Sequence, residues 1–151
     1  MTKTFDMQFI RYINLFRKVT NISAKHCFSY NNTLVFVVPR ALVMQAIGRD
    51  NYNLKRLSNI ITKRIRVIAE PSGIKDLHDF VTVLVSPIKF EKIEVRETPA
   101  SENSYASSKE AIITTDNRES KAMLIGRERA REKELREILD QYFGVKNLRI
   151  N

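Results

Sequence analysis

The chain has 151 residues, of which 43% are hydrophobic and 28% charged, enough to build one compact domain or two small ones. No apolar run approaches the ~18 residues of a membrane-spanning helix, and a single cysteine, Cys27, excludes an internal disulfide framework and any multi-cysteine zinc site. The formal charge of +9 is segregated: residues 1–70 carry 12 Lys and Arg against three acids, whereas residues 71–151 carry 14 of each sign. A solubilising surface would not need that segregation, so it points to a polyanion docking on the first half.

In chain order, Phe5, Phe9, Tyr12, Phe16 and Val19 predict an amphipathic helix over 5–19, with Arg11, Arg17 and Lys18 on its other side. The opening residues run straight into this pattern without the apolar centre of a signal peptide, so a cytoplasmic protein is expected. Residues 26–30 and 33–38 predict a hairpin turning at Asn31-Asn32. His26 and Cys27 are neighbours on that strand and point to opposite faces, which argues for a core Cys beside a surface His and against a Cys/His catalytic pair.

Pro39 suits a first helical position, where its missing N–H costs nothing. Ala41 to Ile47 then leave almost no polar face, which predicts a short helix that is fully buried or lines a groove. Gly48 interrupts, a polar-faced helix pattern follows from Asn51 to about Thr62, and Ile65–Ile68 reads as a strand. Glu70-Pro71-Ser72-Gly73 is the strongest boundary signal and divides the chain into residues 1–70 and 71–151.

Beyond the boundary, Asp76 to Val85 predicts a helix and residues 88–97 a strand. Residues 98–108, rich in Ser, Ala and Asn, predict a mobile hairpin loop. A strand over 110–115 leads to a helix start at Asp116-Asn117-Arg118-Glu119. One helix runs into Gly126, a longer one reaches about Tyr142, and a strand over 145–150 closes the chain. Helix, two strands, two helices around a glycine, strand: the order occurs twice. Ala46-Ile47-Gly48-Arg49 matches Leu124-Ile125-Gly126-Arg127 at a displacement of 78 residues, a domain-sized period.

The first glycine loop has the chemistry of a phosphate cradle. Gly48 permits close backbone approach, and a helix starting near Asn51 offers unpaired N–H groups and the positive end of its dipole. Arg49 can lie along a phosphodiester, with Lys55 and Arg56 one turn further on. From Pro39 to Arg66 there are seven basic residues (the others being Arg40, Lys63, Arg64 and Arg66) and one acid, Asp50. Ile47, Leu54 and Ile65 are expected to supply an apolar floor.

Each copy resembles a KH domain of the prokaryotic, type II kind, whose order is α-β-β-α-α-β. The pair carries Ile-Gly-Arg-Asp-Asn-Tyr-Asn-Leu-Lys-Arg-Leu in the first copy and Tyr-Phe-Gly-Val-Lys-Asn-Leu-Arg-Ile at the close of the second. It resembles the tandem KH pair of the NusA transcription factors, and the short archaeal form is the nearer likeness. The resemblance covers nearly the whole chain. It implies an α+β fold of two tandem KH domains and a loop that clamps about four nucleotides of single-stranded RNA. It further implies a non-catalytic role on nascent transcripts, in termination, antitermination or elongation control, with no cofactor and with RNA polymerase as a partner.

The implied RNA contacts are Gly48, Arg49, Asp50 and Asn51, supported by Ile47, Arg40, Lys55, Arg56 and Arg66. A weaker second set is Gly126, Arg127, Glu128 and Arg129. Asn51 stands where the family has a second glycine, and Asn tolerates a left-handed backbone. Asp50 opposes a phosphate. Arg129 takes the same place in the second copy, where a left-handed Arg costs ~1–2 kcal/mol, and i,i+4 pairs Glu132–Arg136 and Lys133–Glu137 are expected along its helix. A monomer without membrane contact is expected. Ribosome assembly or RNA processing is the alternative role, and single-stranded DNA fits the same groove. A phosphate-handling enzyme is disfavoured, because the chain has no G-x-x-x-x-G-K-[ST] or H-E-x-x-H motif and His26 and His78 lack evident metal partners.

Overall fold

A computed structural model of the chain describes residues 7–99 and 108–151. The described residues form an α+β fold of six helices and two three-stranded sheets. The chain divides into two compact units between Glu70 and Pro71.

In the first unit, α1 (Met7–Thr20) turns Phe9, Tyr12, Phe16 and Val19 inward, with Phe16 fully buried; Phe5 lies outside the described residues. The helix stops where Asn21 takes a left-handed φ of 62°. The buried Thr20 hydroxyl there donates to Phe16 O at 2.8 Å and accepts from Ile22 N–H at 3.1 Å, so the exit carries no orphaned polar group. Strands β1 (His26–Tyr30) and β2 (Thr33–Val38) pair antiparallel across Asn31 and Asn32, whose φ values of 51° and 59° give the mirror-image turn that matches strand twist. Strand β3 (Arg64–Ala69) runs parallel to β2, which requires a crossover. Helices α2 (Val43–Ile47) and α3 (Tyr52–Ile61) supply it.

The three helices cover one face of this sheet. Cys27, Leu34, Phe36, Val38 and Val67 from the strands meet Phe16, Ala46 and Leu57 from the helices. Phe16 and Phe36 stack with ring centroids 4.4 Å apart, and removing the Phe16 ring would cost roughly 3–5 kcal/mol in lost transfer energy and cavity. Strand alternation sends Arg64, Arg66 and Ile68 to the opposite face, in register with Thr33, Val35 and Val37.

Some expectations shift. Pro39 (φ −55°, ψ 142°) precedes the helix instead of starting it, and a single 3-10 turn, Arg40–Leu42, comes before α2. A five-residue helix can press only one side on its neighbours, so α2 is not buried all round: Ala46 is buried and Met44 is 78% exposed. His26 is half-buried rather than open to solvent, while Cys27 is in the core as expected.

The second unit repeats the order: α4 (Leu77–Val85), β4 (Lys92–Thr98), β5 (Ser108–Thr114), α5 (Arg118–Ile125), α6 (Ala130–Phe143) and β6 (Val145–Ile150). β4 pairs antiparallel with β5 and β5 parallel with β6, the same senses as in the first unit. The Asp76 carboxylate accepts from Ser72 N–H and Oγ–H, both at 2.7 Å, and closes the turn that leads into α4. Phe80 of α4 meets Phe143 of α6 edge-on at 5.4 Å. Ile88 N–H donates to Val85 O, which bends the chain after α4, so β4 begins at Lys92 and not at Ile88. Asn117 caps α5 by accepting from Ser120 N–H at 2.7 Å. The loop expected over 98–108 falls largely outside the described residues. Among the described residues no helix is long and apolar enough to cross a membrane.

Candidate nucleic-acid interface

The first loop hangs between the end of α2 and the start of α3, and its backbone explains its residues. Gly48 has φ 81° and ψ 166°, a region closed to side-chain-bearing residues. A Cβ there would also meet Asn53 Nδ2 at 3.0 Å and Asn53 N at 3.1 Å. Asn53 presses so close because its side-chain amide donates to Ala46 O at 3.2 Å and Gln45 O at 3.4 Å, covering carbonyls at the end of α2. Asp50 (φ 53°, ψ 34°) and Asn51 (φ 61°, ψ 25°) are both left-handed. Asn51 therefore adopts the left-handed backbone expected of it. The second left-handed residue, Asp50, was not expected, although Asp shares the Asn tolerance for that backbone.

The loop is a closed turn. Asn51 N–H donates to Gly48 O at 3.2 Å, and Tyr52 N–H donates to Arg49 O. Two N–H groups that a plain helix start would offer to an anion are thus used within the loop. The loop backbone therefore offers fewer free N–H groups than the sequence implied.

Arg49, Asp50 and Asn51 are exposed at the tip. α3 buries Leu57 and packs Leu54 and Ile61 on the core, which leaves Tyr52, Lys55, Arg56, Asn59 and Ile60 on the outer face. Among the described residues Arg49, Lys55 and Arg56 make no ion pair. Arg40 is exposed in the turn before α2. Ile47, Leu54 and Ile65 pack half-buried against the core, so they can form a floor rather than a lip.

Arg66 stands apart from this group. It lies on the sheet face opposite the helices, half-buried in register with Val35. Desolvation lowers its guanidinium pKa, and its electrostatic interaction with Tyr30 acts the other way. The structure therefore does not bring Arg66 together with the loop. Strand alternation with the core residues Ile65 and Val67 carried that signal in the sequence.

The second loop reproduces the backbone. Gly126 has φ 76° and ψ 173°, Glu128 φ 55° and ψ 29°, and Arg129 φ 63° and ψ 23°. A Cβ on Gly126 would meet Arg131 Cγ at 2.6 Å and Arg131 N at 2.9 Å. Its cations are engaged differently. Arg129 donates to both oxygens of Glu132, at 2.7 and 3.3 Å, and Glu132 pushes the guanidinium pKa up first by that hydrogen bond and then by its charge. Arg131 pairs with Glu134, and Arg136 with Asp140. The expected i,i+4 pattern is thus replaced at Glu132 by an i,i+3 pair, because the left-handed Arg129 swings its side chain toward the first turn of α6. Arg127 is exposed at the tip.

Burial pushes the Cys27 thiol pKa up, so the one thiol is a core group and not a nucleophile. Among the described residues no three His, Cys, Asp or Glu side chains gather as a metal site.

No protein-family model matches the chain, and no curated protein matches it. It is similar to a solved structure, the crystal structure of APE1850, with 28% identity, 97% of this chain and 100% of that chain covered, and a TM-score of 0.65. The likeness extends over both units.

Proposed function

We propose that the chain is a non-catalytic, single-stranded RNA-binding factor built from two tandem type II KH domains, residues 1–70 and 71–151. It belongs with the NusA-like factors that act on nascent transcripts. Its working loop is Gly48–Asn51. The observation that carries this reading is the set of exposed cations, Arg49, Lys55 and Arg56, on a glycine-hinged turn with no acid partner among the described residues. The α-β-β-α-α-β order with an antiparallel then a parallel strand pair supports the KH reading. The charge excess of the first half fits a polyanion there. The protein would act in the cytoplasm as a monomer, without a cofactor, and contact RNA polymerase.

Titration of a labelled single-stranded RNA across several salt concentrations tests the binding claim. Neutralising about four phosphates predicts a log–log slope near −3, at ~0.7 per phosphate. A flat response, or no binding, removes it. Affinity capture from native extract tests the transcription role: RNA polymerase should be recovered, and recovery of ribosomal precursors without polymerase would move the protein to ribosome assembly.

A further inference from the structure

The 78-residue displacement that pairs the two loops also pairs their flanking residues, and there the copies part. Met44 falls opposite Ala122, and Tyr52 opposite Ala130. Neither large side chain of the first loop is in the core: Met44 is 78% exposed and Tyr52 62%. The two groups therefore place apolar surface on both flanks of a basic turn.

Their backbones are held firmly. Met44 O accepts from Gly48 N–H at 3.0 Å, and Tyr52 N–H donates to Arg49 O. The Asn53 amide, next to Tyr52, reaches Gln45 O, next to Met44. The two side chains thus stand on either side of the loop, on backbone that the loop itself fixes, and Lys55 and Arg56 follow on the exposed face of α3.

We propose that Tyr52 is a base-stacking platform of the first loop, with Met44 as a second apolar contact, for single-stranded RNA whose phosphates are held by Arg49 and Lys55. This rests on the RNA-binding reading above and deepens it. An aromatic face accepts any unpaired base, whereas bases in a duplex are already stacked on one another. The unpaired cations beside the ring favour a polyanion over an apolar protein segment, which would gain nothing from them. The second loop, with Ala122 and Ala130 at these places, lacks the apolar half of the site, and acids hold its Arg129 and Arg131.

The test uses the full chain, a labelled mixed-sequence single-stranded RNA, and an abasic oligonucleotide of the same length. Tyr52→Ala should weaken RNA binding roughly tenfold, the effect of one lost stack, with the melting temperature unchanged because the ring is exposed. Its salt slope should match the wild type, since a stacked ring releases no counterions. Tyr52→Phe should bind as the wild type does, and Met44→Ala should lose less than Tyr52→Ala. The wild type should prefer the base-bearing RNA to the abasic one, and Tyr52→Ala should lose most of that preference. Unaltered RNA affinity in Tyr52→Ala overturns the stacking role while leaving the RNA reading intact, and would assign the exposed pair to a protein partner. A loss in Tyr52→Phe equal to that in Tyr52→Ala also overturns it, because the hydroxyl and not the ring would then be the contact. Failure of the wild type to bind RNA at all defeats the reading on which the proposal rests.

Discussion

The loops Gly48–Asn51 and Gly126–Arg129 follow nearly the same backbone path: the glycines have φ 81° and 76°, the third residues 53° and 55°, and the fourth 61° and 63°. Around that shared path the side chains diverge. Residues 48–63 carry four basic residues and one acid, whereas residues 126–141 carry five of each. At equivalent places Leu54 becomes Glu132 and Arg56 becomes Glu134, and these two acids hold Arg129 and Arg131. Turn geometry depends on the glycine and on the residue five places on that packs against it. Ligand chemistry depends on the helix face that follows. The two can therefore be kept or lost independently: the second unit keeps the scaffold, but its acids balance its cations and hold Arg129 and Arg131.

Charge reversal gives the widest separation. Arg49→Glu with Lys55→Glu should weaken RNA binding by at least about 100-fold, since each removes a charged contact worth roughly 1.5–3 kcal/mol. The equivalent pair Arg127→Glu with Lys133→Glu should change it by less than about threefold, as expected of exposed cations in an already neutral field. Fluorescence anisotropy at one fixed salt concentration measures both. Equal losses would show that the loops work alike and would break the comparison.

Stability should rank the loops the other way. Alanine at either glycine enters a backbone region that costs roughly 1–3 kcal/mol. At Gly126 the new Cβ also meets Arg131 Cγ at 2.6 Å and its backbone N at 2.9 Å, against 3.0 Å or more to Asn53 at Gly48. Gly126→Ala should therefore be the more damaging by about 1 kcal/mol, an overpacking cost. Urea unfolding of the two variants checks the order, and a larger loss at Gly48 would mean that the close approach of residue five does not set the glycine requirement.

How far the sequence revealed this depended on how local each cause was. The α1 stripe, the Asn31-Asn32 hairpin and the break at Glu70-Pro71 were all legible, because each is decided by residues within a turn or two. The exposure of α2 was not, since an apolar segment does not tell how many neighbours will cover it; Met44 needed the fold. The left-handed Glu128 was hidden because Glu has no tendency to that backbone, and the Asp50 tendency went unused; in both places a closed turn imposes it. Tyr52 was overlooked for another reason: one aromatic in a polar run has no periodicity. Only its exposure, and the alanine at the matching place, single it out.

The smallest expected effect is also the finest probe of how the two loops differ. Glu132→Gln with Glu134→Gln releases Arg129 and Arg131 and leaves residues 126–141 with five basic residues against three acids. Exposed ion pairs contribute only about 0.2–1 kcal/mol each, so the gain must be modest. With the first loop disabled by Arg49→Glu and Lys55→Glu, the added carboxamides should raise RNA affinity roughly two- to tenfold. They should also steepen the salt slope by up to ~1.4, or ~0.7 for each freed cation. The two readouts separate two causes. A steeper slope with higher affinity means that carboxylates masked a competent loop. No change in either means that free charge is not enough, and that the apolar pair Met44 and Tyr52, absent at Ala122 and Ala130, is what the second loop lacks.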